Sequence, residues 1–211
     1  MAEKNSENTP ESMGLTDRTT AIAEARRFGR SSLDLVTEFI PGDMTKSTLA
    51  LMALIERWQA FHLGAIDAIE ASNPLAAMTL IRSYAENAAA ILWIWERPAD
   101  LSKLFIGAEH DKFAIGKLVA NAQKHAPGFN ELYQQLSDAA HPSGVGAYQS
   151  IRLDPEDAGS FGWSSHPRFR DEGDALWALM WVIEICEIHA DRVAPIFRAV
   201  RESMRRAADD V

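Results

Sequence analysis

Cysteine is nearly missing from this chain. Cys186 stands alone, which excludes an intrachain disulfide, and nothing in the covalent design calls for an oxidising compartment. Basic residues are in deficit, with 21 Lys and Arg against 30 Asp and Glu and a formal charge of -9. Such a surplus of acid opposes general affinity for nucleic acid, because phosphate contacts need a local excess of cations. Long apolar runs are absent too: the longest, Ala88–Trp95 and Ala175–Ile183, fall far short of the roughly 20 residues that a membrane-spanning helix requires. Residues 1–14 hold no apolar core, so no signal peptide is expected and the cytoplasm is the expected location. There is no Walker sequence, no Gly-x-Gly-x-x-Gly and no Gly-x-Ser-x-Gly elbow. Nucleotide binding of those types and hydrolysis through an elbow serine therefore have no support. Metal ligands are poorly supplied: Cys186 and His189 are three apart with no second pair at suitable spacing, and a structural zinc site needs about four ligands. Glu109, His110 and Asp111 are adjacent and point to different sides of a helix, and the Glu-x-x-His motif of di-iron bundles does not occur. No metal and no cofactor is expected.

What is present is helical periodicity. The 211 residues, 47% of them hydrophobic, suffice for one sizeable core. The length suits a single domain over residues 15–211 behind a polar, aperiodic tail at 1–14, read as disordered. A first helix is predicted from Thr16 or Asp17 to Phe39, ended by Pro41-Gly42, with Asp43 placed to cap the next. The second runs to about Ala71, with Leu49, Met52, Ile55, Trp58, Leu63, Ile66 and Ile69 tracing its apolar face. Asn73-Pro74 supplies an N-cap and a first-turn proline for a third helix, about Pro74–Glu96, which Arg97-Pro98 breaks. A fourth helix is predicted over about Asp100–His125 and a fifth over about Asn130–His141, stopped by Pro127-Gly128 and Pro142 respectively. Between Pro142 and Asp171 the periodicity is lost; Tyr148–Leu153 alternates weakly and could pair with Ser160–Ser164 in a small hairpin, a loop being equally consistent. Irregular segments of that length often serve as lids or binding loops. A last helix, about Glu172–Ala208, carries Pro195, which should kink or divide it. These features predict an all-α fold, an antiparallel helical bundle of about six helices with one long irregular segment. The third helix is expected at its centre because it is apolar on most sides.

Set into that helix is a polar stripe. Thr79, Arg82, Ser83, Glu86 and Asn87 recur at steps of three and four among Ala, Leu, Ile and Trp. Arg82 precedes Glu86, the weaker orientation for a pair within one helix, and a buried unpaired charge would cost several kcal/mol. A matching polar patch on another helix is therefore predicted. The fifth helix offers one: Tyr133, Ser137 and His141 follow at four-residue steps, with Asp138 beside them. His141 falls at a helix C-terminus, where the dipole favours imidazolium and suits a general acid. Arg82-Ser-Tyr-Ala-Glu86 and Ser137-Asp-Ala-Ala-His141-Pro142, with the preceding helix and the Trp93-Ile-Trp95 run, together span about half of the chain. In these segments the chain resembles a widespread bacterial family of all-helical proteins, of unassigned function, marked by an Arg-Ser-x-x-Glu helix and a Ser-x-x-x-His-Pro segment. That family is distantly similar to the HEPN helical bundles, many of which are metal-independent ribonucleases or accessory parts of toxin and antiphage systems. Those nucleases carry Arg and His a few residues apart on one helix, whereas here the two types lie on two helices.

Two functions follow. As an enzyme of the HEPN kind, the cluster would cleave a phosphodiester, with His141 moving a proton, Arg82 stabilising charge on the phosphoryl oxygens, Glu86 holding Arg82 and Ser137 beside His141. As a binding or interaction protein, it would use the same groups as a buried network fixing helix register, with Asn87, Tyr133 and Asp138 as ligand-contacting neighbours. The second reading is favoured, because polar networks in bundles are commoner than active sites and the net charge disfavours RNA as a partner. Arg198, Arg201 and Arg205 share a face near the C-terminus and are read as a solvated helix end whose cations complement the dipole. Trp177 and Trp181 share a face of the last helix and Trp163 lies in the irregular segment, which together suggest a homodimer.

Overall fold

The computed structural model describes residues 9–37, 45–104, 114–141, 151–153, 161–163 and 166–209. It is a helical bundle: α1 (Arg18–Thr37), α2 (Lys46–Glu70), α3 (Pro74–Glu96), a 3₁₀ helix (Pro98–Leu104), α4 (Ile115–Ala122), α5 (Phe129–Ala140) and α6 (Glu172–Asp209). Two three-residue strands, β1 (Ile151–Leu153) and β2 (Phe161–Trp163), pair antiparallel with Arg152 opposite Gly162, as the weak alternation allowed. None of the described helices is long and apolar enough to cross a membrane.

Local signals account for most boundaries. The Asn73 side chain accepts from the Ala76 N–H at 3.1 Å, and Pro74 opens α3 where its missing N–H is harmless. Replacing Asn73 with Ala is expected to lower unfolding stability by about 1 kcal/mol, measurable as a shift in the urea midpoint. Thr45 caps α2, accepting from the Thr48 N–H at 3.1 Å; Asp43, the expected cap, lies outside the described residues. The predicted fourth helix is instead the 3₁₀ segment plus the short α4, and residues 105–113 between them are likewise outside the described set. Residues 9–14, read as part of the tail, form hydrogen-bonded turns in which Thr9 and Ser12 exchange bonds and Leu15 N–H reaches the Pro10 carbonyl at 2.8 Å. Pro195 neither ends nor divides α6.

α3 is central as expected, packing against α2, α6, α4 and α5. Its small residues Ala77, Ala85, Ala88 and Ala89 are fully buried beside Ile81, Ile91 and Ile94, so neighbouring backbones approach closely. α2 and α3 run antiparallel across a tight turn at Ser72, a left-handed residue (φ 54°) whose N–H closes on the Ile69 carbonyl. α6 departs from alternation. Arg18 meets Glu172 and Ser32 meets Cys186, both across the same 154-residue offset, so α1 and α6 are parallel. Arg18 locks that register, because its guanidinium also donates to Ser72 Oγ at 2.6 Å and thereby ties together the start of α1, the α2–α3 turn and the start of α6. The reason is the long connection from α3 to α6, which returns the chain to its starting end before the last helix begins.

Candidate functional site

Arg82 and Glu86 lie one turn apart on α3, facing Tyr133 on α5, and these three groups form a triad. The Tyr133 hydroxyl donates to Glu86 Oε1 at 2.9 Å. Arg82 Nη2 donates to the same hydroxyl at 3.3 Å, with its guanidinium 5.6 Å from the Tyr133 ring centroid. Arg82 Nε stands 3.4 Å from Glu86 Oε1 but makes no hydrogen bond. The triad is partly exposed rather than sealed, with side-chain exposures of 27% for Arg82 and 36% for Glu86. Desolvation is therefore mild, and solvent weakens the ion pair.

The other expected members stand apart from it. Ser137 is half-buried one turn beyond Tyr133, and Asp138 and His141 are exposed. His141 is the C-cap of α5, its backbone N–H closing on the Ser137 carbonyl at 3.0 Å. Among the described residues, no hydrogen bond joins the side chains of Ser137, Asp138 or His141 to the triad. Thr79 satisfies itself on the Leu75 carbonyl at 2.8 Å.

Asn87 belongs to a different network, which corrects the single-stripe reading. At 100° per residue Arg82 and Asn87 are about 140° apart around the helix axis, so α5 receives one and α2 with α6 the other. Asn87 Nδ2 donates to His189 Nε2 at 2.9 Å and to the Leu54 carbonyl at 3.1 Å, while its Oδ1 is buried without a partner. His189, fully buried, donates from Nδ1 to the Ile185 carbonyl at 2.8 Å. It lies stacked between Trp58 (5.1 Å) and Tyr84 (4.9 Å). His62 donates from Nε2 to the Ala25 carbonyl at 2.9 Å, leaving Nδ1 to accept from the Tyr84 hydroxyl at 3.3 Å. Both imidazoles are thus held neutral by geometry: each ring has one nitrogen against a carbonyl and the other against a donor. Burial pushes His62 below its usual pKa and His189 down to about 3. Burial likewise raises the Cys186 thiol, which donates to Ser32 Oγ at 3.6 Å, so it is a packed, protonated group and not a nucleophile.

Sequence reasoning passed over His62 and Tyr84 and weighed His189 only as a metal ligand beside Cys186. The usable signal was Asn87 itself, a polar residue on an apolar helix that requires a partner from a facing apolar helix. Among the described residues no group of three or more His, Cys, Asp or Glu could hold a metal ion; Glu109, His110 and Asp111 lie outside them. The chain matches no family model, no curated protein and no solved structure.

The two networks suit different work. The inner one, sealed and neutral, fixes the register of α1, α2, α3 and α6. The outer one presents a guanidinium with unspent donors, beside a tyrosine already committed to a carboxylate, and can accept an anion.

Proposed function

We propose that this chain is a binding protein and that the α3–α5 seam is its recognition surface, with Arg82 receiving an anionic group, a carboxylate or phosphate. The observation that supports this is the unequal bonding within the triad. Tyr133 gives its proton to Glu86 at 2.9 Å, whereas Arg82 is held only by contacts of 3.3 and 3.4 Å. A guanidinium so loosely engaged gains by exchanging them for a bidentate oxyanion. Glu86 then serves to orient Tyr133, and Tyr133 to form the wall beside the ligand.

The ribonuclease reading of the HEPN resemblance requires His141 beside Arg82. Tyr133, the residue that meets Arg82, is eight positions before His141, or about 12 Å along a helix axis. The binding reading asks nothing of His141.

Titration with inorganic phosphate, followed by amide NMR, tests the proposal. Shifts are expected around Arg82 and Tyr133, and Arg82→Gln should weaken binding about tenfold, the worth of one charge-assisted hydrogen bond. Phosphate that binds equally well to the Arg82→Gln protein overturns it. RNA cleavage by the wild type that disappears in His141→Ala would establish the enzyme instead. A homodimer built on the half-buried Trp177 and Trp181, whose rings are 6.5 Å apart, completes the proposed picture; sedimentation at micromolar concentration should show it, and monomer alone removes it.

A further inference from the structure

Arg82 shares its face of α3 with an apolar strip. Leu75, seven positions earlier, lies within about 20° of Arg82 around the helix axis and about 10 Å from it along that axis. Its side chain is 37% exposed, one of four large hydrophobic residues open to that degree among the described residues. Between Leu75 and Arg82, Met78 is packed partly against the core and Thr79 is exposed. Thr79 gives its hydroxyl proton to the Leu75 carbonyl at 2.8 Å, so it has no proton left for a ligand, and its methyl extends the strip. One face of α3 is thus apolar at its first turn and cationic two turns later.

The cationic end is already matched in charge. Glu86 Oε1 stands 3.4 Å from Arg82 Nε, which is buried without a hydrogen bond, while Nη1 makes none among the described residues. The open edge of the guanidinium therefore fits two oxygens in a plane, in a field that Glu86 largely offsets. A dianion gives up far more hydration than a monoanion on reaching a half-buried site and is repelled more strongly by the Glu86 carboxylate. A planar, singly charged head with an apolar chain meets both ends of the strip. We infer that the seam takes an aliphatic carboxylate, its head on Arg82 and its chain lying over Thr79 and Met78 to Leu75, and that Glu86 is the residue that selects against dianions. This assignment rests on Arg82 being the anion site proposed above.

The probes are octanoate, acetate and inorganic phosphate at a pH where it is dianionic, each titrated into the full chain and followed by amide NMR. Octanoate is expected to bind at least about tenfold more tightly than acetate, the worth of a few methylenes removed from water, with shifts running from Leu75 to Glu86 and at Tyr133. Phosphate should bind more weakly than octanoate. Leu75→Ser, at an exposed position that the fold tolerates, should remove the preference for octanoate over acetate. Glu86→Gln keeps an oxygen to accept the Tyr133 proton and deletes the charge, so it should raise the affinity for phosphate relative to acetate about fivefold. Equal binding of octanoate and acetate, a preference for octanoate that survives Leu75→Ser, or wild-type phosphate binding tighter than octanoate overturns the assignment while leaving Arg82 an anion site. Failure of all three probes to shift Arg82 overturns the anion site itself, and this inference with it.

Discussion

Replacing Gly29 with Ala is expected to destabilise the protein by about 2 kcal/mol, although the same change in an ordinary helix interior stabilises by up to about 1 kcal/mol. Gly29 lies within α1, where the His62 ring of α2 crosses. A Cβ built at Gly29 would lie within 2.6 Å of His62 Cδ2 and 3.3 Å of its Cε1. The ring cannot retreat. It is 2% exposed, bonded through Nε2 to Ala25 and through Nδ1 to Tyr84, so relief requires α1 to move off α2 or both bonds to break. For a chain of this size the melting temperature should fall by about 4–8 °C. A double-mutant cycle decides the cause: with His62→Ala already in place, Gly29→Ala should become neutral or stabilising. Equal losses in both backgrounds would place the effect elsewhere.

Acid is expected to weaken the fold well above the pH at which carboxylates protonate. His189 has a folded pKa of about 3 against an ordinary value of 6.5, burial being the main cause, with the neighbouring His62 adding to it. Below pH 6.5 the unfolded chain takes up a proton that the native state refuses, and the penalty grows by about 1.4 kcal/mol per unit until pH 3. From pH 6.5 to 4.5 His189 alone should remove about 2–3 kcal/mol. His62 is shifted in the same direction and adds to the loss. Stability is therefore retained above pH 6.5 and lost through the interval from 6.5 towards 3. Urea midpoints of wild type and His189→Gln across that range provide the test. The variant should start less stable at neutral pH, because the Trp58–His189–Tyr84 stack is broken, yet lose less on acidification. Parallel curves would show that His189 does not carry the effect.

Helix identities and many ends were legible because they depend on neighbours in sequence. Asn73 and Pro74 specify the start of α3 by local capping and φ restriction, and the alanine-rich run from Ala85 to Ala90 marks that helix as central. Pairing of the third helix with the fifth was legible too, since Arg82 and Glu86 required polar partners and Tyr133 stood at the right spacing. The division of one polar stripe between two networks was not. Whether Asn87 joins Arg82 or turns to His189 depends on which helices fill the two sides of α3, and His189 is 102 residues away in the chain. The parallel course of α6 and the Gly29–His62 crossing were equally hidden. Periodicity determines which face of a helix is buried; only long-range packing decides what that face meets and which of its polar groups remain open to a ligand.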